Sequence, residues 1–133
     1  MTSLRQWALL RVMKDKFILL PLPFSFFLGF ALTTTLLTVG LSKGYVVLLP
    51  DYEGPKSGFT VGTLAATGVL DGLRAGLQVS SVIPDPDKAI VTLFGYSGGS
   101  LATGWAVQQQ PVYAPELKIA GAVLGGLVVD IKQ

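Results

Sequence analysis

The pattern of apolar and polar positions changes once along the chain, near Lys43. From Phe17 to Ser42 no residue is charged, a run of 26 positions. About 20 apolar residues in a helix span a bilayer, so the length permits a membrane segment. Basic residues ahead of it would favour a cytoplasmic N-terminus. A basic stretch followed by an apolar one also fits a secretory signal. Pro21 and Pro23 shorten the best stretch, and Leu32-Thr33-Thr34-Thr35 is a poor cleavage site. A third reading treats the run as unselected sequence joined to a domain. Residues 1–40 are therefore set apart from 41–133, with residues 17–39 as the candidate anchor.

Beyond Lys43, short apolar runs alternate with helical spacing. Tyr45-Val46-Val47-Leu48-Leu49, ended by Pro50-Asp51, predicts a strand buried on both faces, the habit of parallel sheets. Pro55, Gly58 and Gly62 mark a loop. Leu70, Leu73 and Leu77 recur at helical spacing within a helix from about Thr63 to Val79. Pro84-Asp85-Pro86-Asp87 predicts a turn, and Ala89 to Phe94 a second strand. Gly95 to Gly99 forms a tight corner. A helix follows from Ser100 to about Gln109, stopped by the segment Pro111 to Pro115. Ile119 to Leu124 is the third apolar strand, ended by Gly125-Gly126. This order gives an α/β fold with a mostly parallel sheet of about three strands and flanking helices.

Composition narrows the chemistry. Of 133 residues, half are hydrophobic and 14% charged, and His, Cys and Asn are absent. The absence of His and Cys excludes zinc sites built on them, iron–sulfur clusters, thiol catalysis and disulfides within these residues. It also removes any imidazole general base. No metal or cofactor is called for. Residues 1–16 carry a net +3, from Arg5, Arg11, Lys14 and Lys16 against Asp15, and the remainder sums to −1. A slightly acidic bulk argues against a nucleic-acid surface.

One corner could carry a reaction. Gly95-Tyr96-Ser97-Gly98-Gly99 matches G-x-S-x-G, in which a Ser sits on a sharp strand-to-helix turn and flanking glycines let strand and helix approach. There Ser97 Oγ would attack an acyl carbonyl. The Gly98 N–H, at the start of a helix, would stabilise the oxyanion. The competing reading is a glycine-rich turn with an ordinary Ser. Nucleotide loops fail at named positions: a dinucleotide fingerprint needs Gly at Ser97 and Ser100, and no Gly-Lys-Ser/Thr exists.

Several blocks resemble the fungal secretory lipases, the lipase-A-like branch of the α/β hydrolases. They are Gly44-Tyr45-Val46-Val47-Leu48-Leu49-Pro50-Asp51-Tyr52-Glu53-Gly54-Pro55, Leu70-Asp71-Gly72-Leu73-Arg74, Gly95 to Ser100, Tyr113-Ala114-Pro115-Glu116-Leu117 and Gly121 to Gly126. The resemblance covers about Leu37 to Val129. It implies an α/β-hydrolase fold that hydrolyses triacylglycerols or other carboxylic esters, outside the cell and in contact with lipid. It also implies Ser97 as nucleophile and Gly98 as the adjacent oxyanion donor. In the family the acid and the His lie beyond the segment seen here, and the second oxyanion contributor lies where this chain has Phe17 to Thr35.

The expectation is a partial α/β-hydrolase domain that bears the nucleophile but is inactive alone. The alternative is a membrane-anchored, non-catalytic α/β interaction module. Asp130 is not expected to be the triad acid. Asp51 and Glu53 are expected to fix backbone, Asp71 and Arg74 to pair along a helix, and Tyr113 and Trp105 to pack. Oligomeric state is left open.

Overall fold

The computed structural model describes residues 24–126, with side chains at 31 and 33–126. Phe17 to Pro23 and Asp130 lie outside the described residues. The described residues divide into two units, 24–48 and 49–126.

In the first unit, helix α1 spans Phe24–Ser42. Thr34, Thr35 and Thr38 turn their hydroxyls back onto carbonyls of the preceding turn, which satisfies a polar group inside an uncharged helix. At its end, Gly44 takes φ 79° and Tyr45 N–H returns to Gly40 O at 3.1 Å, the left-handed stop that Gly permits. Among the described residues, no helix is long and apolar enough to cross a membrane.

The run Tyr45–Leu49 corrects an expectation. It is not a strand, and the described sheet has two strands rather than three. A β-branched run becomes a strand only where a neighbour supplies the ladder, and no described residue pairs with it.

In the second unit, helix α2 (Gly62–Leu77) precedes a 3-10 turn (Pro86–Lys88). Strand β1 (Val91–Tyr96), helix α3 (Gly98–Tyr113) and strand β2 (Ile119–Gly125) follow. The strands are parallel, Leu93 opposite Ala122 and Tyr96 opposite Gly125. Strand β1 starts two residues later than Ala89 and runs on to Tyr96.

The core is the α2–α3 contact. Ala65, Ala66, Val69, Leu70 and Leu73 are buried on one face of α2; Ser100, Ala102, Thr103 and Ala106 are buried on α3. Small residues on α3 bring the two axes close. Leu70, with no exposure, contributes about 1.5–3 kcal/mol by burial alone.

The other side of α2 is smoothed by glycines. A methyl on Gly72 would meet Pro50 Cβ at 2.8 Å, and one on Gly68 would meet Tyr52 Cα at 3.0 Å. Segment 50–52 therefore lies directly against the helix. Trp105 lies over Gly62 so closely that a methyl there would collide with the indole, in keeping with its expected packing role.

Helix α3 also runs further than expected, through Pro111 to Tyr113. In the last turn Pro forfeits a single hydrogen bond. The end is then closed by Ala114 N–H on Gln110 O (2.9 Å) and by Gln110 Nε2 on the carbonyls of Ala114 (3.0 Å) and Leu117 (2.9 Å).

Candidate active site

Ser97 occupies the single residue between β1 and α3, with φ 54° and ψ −119°. An L-residue visits positive φ only at a steric cost, of order 1–3 kcal/mol in sparsely populated regions, so the corner must be held from several directions. Ser97 N–H donates to Gly125 O at 2.9 Å, continuing the β1–β2 ladder one residue past the strand. Its carbonyl accepts from Ser100 N–H (2.9 Å), Leu101 N–H (3.3 Å) and Ser100 Oγ (2.6 Å). Ser100 is itself buried. The Ser97 side of the corner is exposed.

The two flanking glycines are not equivalent. A methyl on Gly95 would lie 2.5 Å from the Gly99 carbonyl carbon and 2.6 Å from Thr103 Oγ1, and would collide with Gly99 O. Gly95 is therefore the steric condition for β1 and α3 to meet. A methyl on Gly99 would meet nothing within 4 Å, which corrects the expectation that both are required by close approach. Gly98 begins the helix, where the first N–H groups have no intrahelical partner.

Two residues at this corner were not singled out by the pattern. A methyl on Gly98 would meet Phe59 Cε2 at 2.8 Å and Tyr52 Oη at 3.2 Å. Both belong to the segment 50–61, where Asp51 Oδ1 accepts from Glu53 N–H (3.3 Å) and Gly54 N–H (3.2 Å). Asp51 thus fixes backbone, as expected. Ser57 (φ 47°) and Thr60 (φ 67°) flank Phe59. With Ser97 they are the positive-φ non-glycine residues among the described residues, and all three lie at the corner or in the segment that touches it. The sequence block containing Tyr52 was the available signal. Burial, helped by the charges of Glu53 and Asp51, raises the Tyr52 phenol above its ordinary pKa. Tyr96 packs on the far side, its ring 2.8 Å from where a Gly125 methyl would stand.

A second polar group lies at the opposite end of α3. Arg74 donates to Glu116 Oε1 (2.6 Å), Asp71 Oδ1 (2.8 Å) and Tyr113 O (2.7 Å), and Tyr113 Oη donates to Asp71 Oδ2 (2.9 Å). The guanidinium stands 4.9 Å from the Tyr113 ring centre. The expected Asp71–Arg74 pair is present, but inside a network, and Tyr113 hydrogen-bonds as well as packs. Arg74 lowers the Glu116 carboxyl pKa, and the bond to Asp71 raises that of the Tyr113 phenol. This group joins α2 to the turn before β2 and takes no part in the corner.

Among the described residues no cluster of acids suggests a metal site. The 133 residues contain no His, so the corner has no imidazole beside it from this chain.

A family model described as secretory lipase matches residues 25–133. The chain belongs to the secretory lipase family. The match begins 12 positions before Leu37 and so includes most of α1. Lipase 5 of Candida albicans is 52% identical over 93 residues, covering 68% of this chain and 20% of that protein. Lipase A of Arthroderma benhamiae is 50% identical over 97 residues, covering 72% and 20%. Among solved structures, lipase A of Candida antarctica in its closed state superposes with a TM-score of 0.58 at 42% identity, over 65% of this chain and 20% of that one. The secretory-lipase chain described here thus has an α/β-hydrolase fold, and it spans about one fifth of the length of these relatives.

Proposed function

We propose that this secretory-lipase chain carries the nucleophile of a secreted hydrolase of triacylglycerols or other carboxylic esters. Ser97 Oγ attacks the acyl carbonyl, and the Gly98 N–H receives the developing oxyanion. Gly95, Tyr96 and Gly99 complete the elbow that presents it. The observation that carries this reading is Ser97 itself, exposed, at positive φ, on the one-residue turn between a parallel strand and a helix. Strained backbone is kept where function uses it, and helix N-termini favour negative charge.

The same chemistry makes the isolated 133 residues incompetent. A Ser hydroxyl without a general base is a weak nucleophile near neutrality, and loss of the His in one studied triad protease costs on the order of 10⁶ in kcat. The expected outcome is no measurable hydrolysis of a chromogenic short-chain ester by the chain alone. An alkyl fluorophosphonate with added imidazole as external base is expected to label Ser97, located by peptide mass spectrometry, and to leave Ser97→Ala unlabelled. Labelling spread over the other seven serines would overturn the assignment. Clear ester turnover that is lost in Ser97→Ala would overturn the incompetence.

Export from the cell is proposed from the family description. The alternative of a membrane anchor through residues 17–39 is weakened by the family match from residue 25 and by the lack of a spanning helix among the described residues.

A further inference from the structure

The Tyr52 hydroxyl reaches the corner but has no task in the fold. Its Oη stands 3.2 Å from where a methyl on Gly98 would be, and it makes no hydrogen bond to any described residue. A buried phenol generally finds a partner. This one is half-buried, and its bond is open to solvent or to a molecule that displaces solvent. The Tyr113 hydroxyl, by contrast, is bound within the fold to Asp71 Oδ2 at 2.9 Å.

The phenol is also held in place through its backbone. Asp51 Oδ1 closes the turn around it by accepting from Glu53 N–H and Gly54 N–H. On the other side its Cα lies against α2, only 3.0 Å from where a methyl on Gly68 would stand. Beyond a fixed Cα, a Tyr side chain has two rotatable bonds, so little freedom is left to lose when it binds. Gly98 completes the arrangement, since any side chain there would press on Phe59 and on Oη itself. A donor that is already in position stabilises developing negative charge without reorganising as the charge forms. A phenol is protonated at neutral pH, and burial with Glu53 and Asp51 moves its ionisation higher still. Helix α3 brings no charged residue to it, and Asp71 and Arg74 of α2 are engaged with each other.

We propose that the Tyr52 hydroxyl is a further catalytic residue of the Ser97 site, donating alongside the Gly98 N–H to the acyl oxygen of the bound ester. The proposal rests on the Ser97 reading. In the step it assists, the Ser97 Oγ–carbon bond forms, the carbonyl π pair passes to oxygen, and a base of the imidazole class takes the Oγ proton. Tyr52 keeps its own proton and shares it only as a hydrogen bond.

The test uses the full 133-residue chain, an alkyl fluorophosphonate and added imidazole. The Oγ–phosphorus bond forms, fluoride leaves, imidazole takes the Oγ proton, and the phosphoryl oxygen stands in for the acyl oxygen. Tyr52→Phe keeps the ring and removes the donor. Its maximal labelling rate at Ser97 is expected to fall about tenfold or more, since one oxyanion donor is worth on the order of 10²–10³ in kcat. The half-saturating probe concentration and the urea midpoint are expected to match wild type. Tyr52→3-fluorotyrosine is expected to retain the neutral-pH rate and to lose it at a lower alkaline pH than wild type, because its phenol is more acidic. Tyr52→Phe should show no such alkaline fall. Equal maximal rates for wild type and Tyr52→Phe, or one alkaline limb common to all three, overturn the proposal and leave Ser97 as nucleophile. A loss that comes with a lower midpoint and is not restored by 3-fluorotyrosine makes Tyr52 structural and overturns it as well. Absence of Ser97 labelling in wild type overturns the Ser97 reading, and this proposal with it.

Discussion

Gly95→Ala isolates the steric condition for the corner. The added methyl would stand 2.5 Å from the Gly99 carbonyl carbon and 2.6 Å from Thr103 Oγ1, where ordinary contact begins at 3.4 Å. Relief requires β1 and α3 to part by about 1 Å, because the nearest obstacle is backbone and cannot rotate away. Overpacking a well-filled interior costs about 1–3 kcal/mol, and a backbone obstacle places this case near the upper end. With a urea dependence of about 1.5 kcal/mol per molar, 3 kcal/mol lowers the unfolding midpoint by about 2 M. The measurement is urea unfolding of the full chain followed by circular dichroism at 222 nm. Gly99→Ala serves as the internal comparison: the site is open and helical, so the substitution is neutral or stabilises by up to about 0.5–1 kcal/mol. Equal midpoints for Gly95→Ala and wild type, or equal losses for the two variants, would refute the reasoning that strand–helix contact depends on position 95 alone.

Other perturbations have equally direct outcomes. Thr60→Gly relieves a β-branched residue at φ 67° and is expected to raise the midpoint by about 1 kcal/mol in stability. Arg74→Lys should lower the midpoint, because an ammonium cannot reach Glu116, Asp71 and the Tyr113 carbonyl in the fork that guanidinium presents. The folded Glu116 pKa is depressed. Its contribution is therefore complete above the ordinary carboxylate range and lost as pH falls through the folded value, and Glu116→Gln should flatten that acid limb of a stability–pH profile. Tyr52 and Tyr113 have raised pKa values. Absorbance titration near 295 nm should thus show two late-ionising phenols, one removed by Tyr52→Phe and one by Tyr113→Phe.

The elements best legible in the sequence were those whose signals are local. The helix around Leu70 and Leu73 and the apolar run Ile119 to Leu124 appeared within a residue or two of their expected places, since spacing and turn residues determine them. Tyr45–Leu49 carried the same signal as β1 but lacks a ladder partner among the described residues, and no local pattern reports whether a neighbour exists. The segment from Pro111 to Pro115 signals a stop, although a Pro near a helix end removes one bond and no more. At the corner, Gly-x-Ser-x-Gly located Ser97 but treated its two outer glycines alike. Only the approach of Thr103 and the Gly99 backbone separates them. Phe59 and Tyr52 reach Gly98 from some 40 positions earlier in the chain, a distance over which periodicity is silent.

The bond from Ser97 N–H to Gly125 O has a consequence for how the corner comes into being. The acceptor is made 28 residues after the donor, and the chain is synthesised from its N-terminus at about 5–20 residues per second. Helix α3 can coil as soon as it is complete, but the left-handed turn at Ser97 has no strand to lean on until β2 has arrived. The positive φ at Ser97 therefore lacks this bond until β2 has been made, and for those seconds only the contacts with α3 hold the turn.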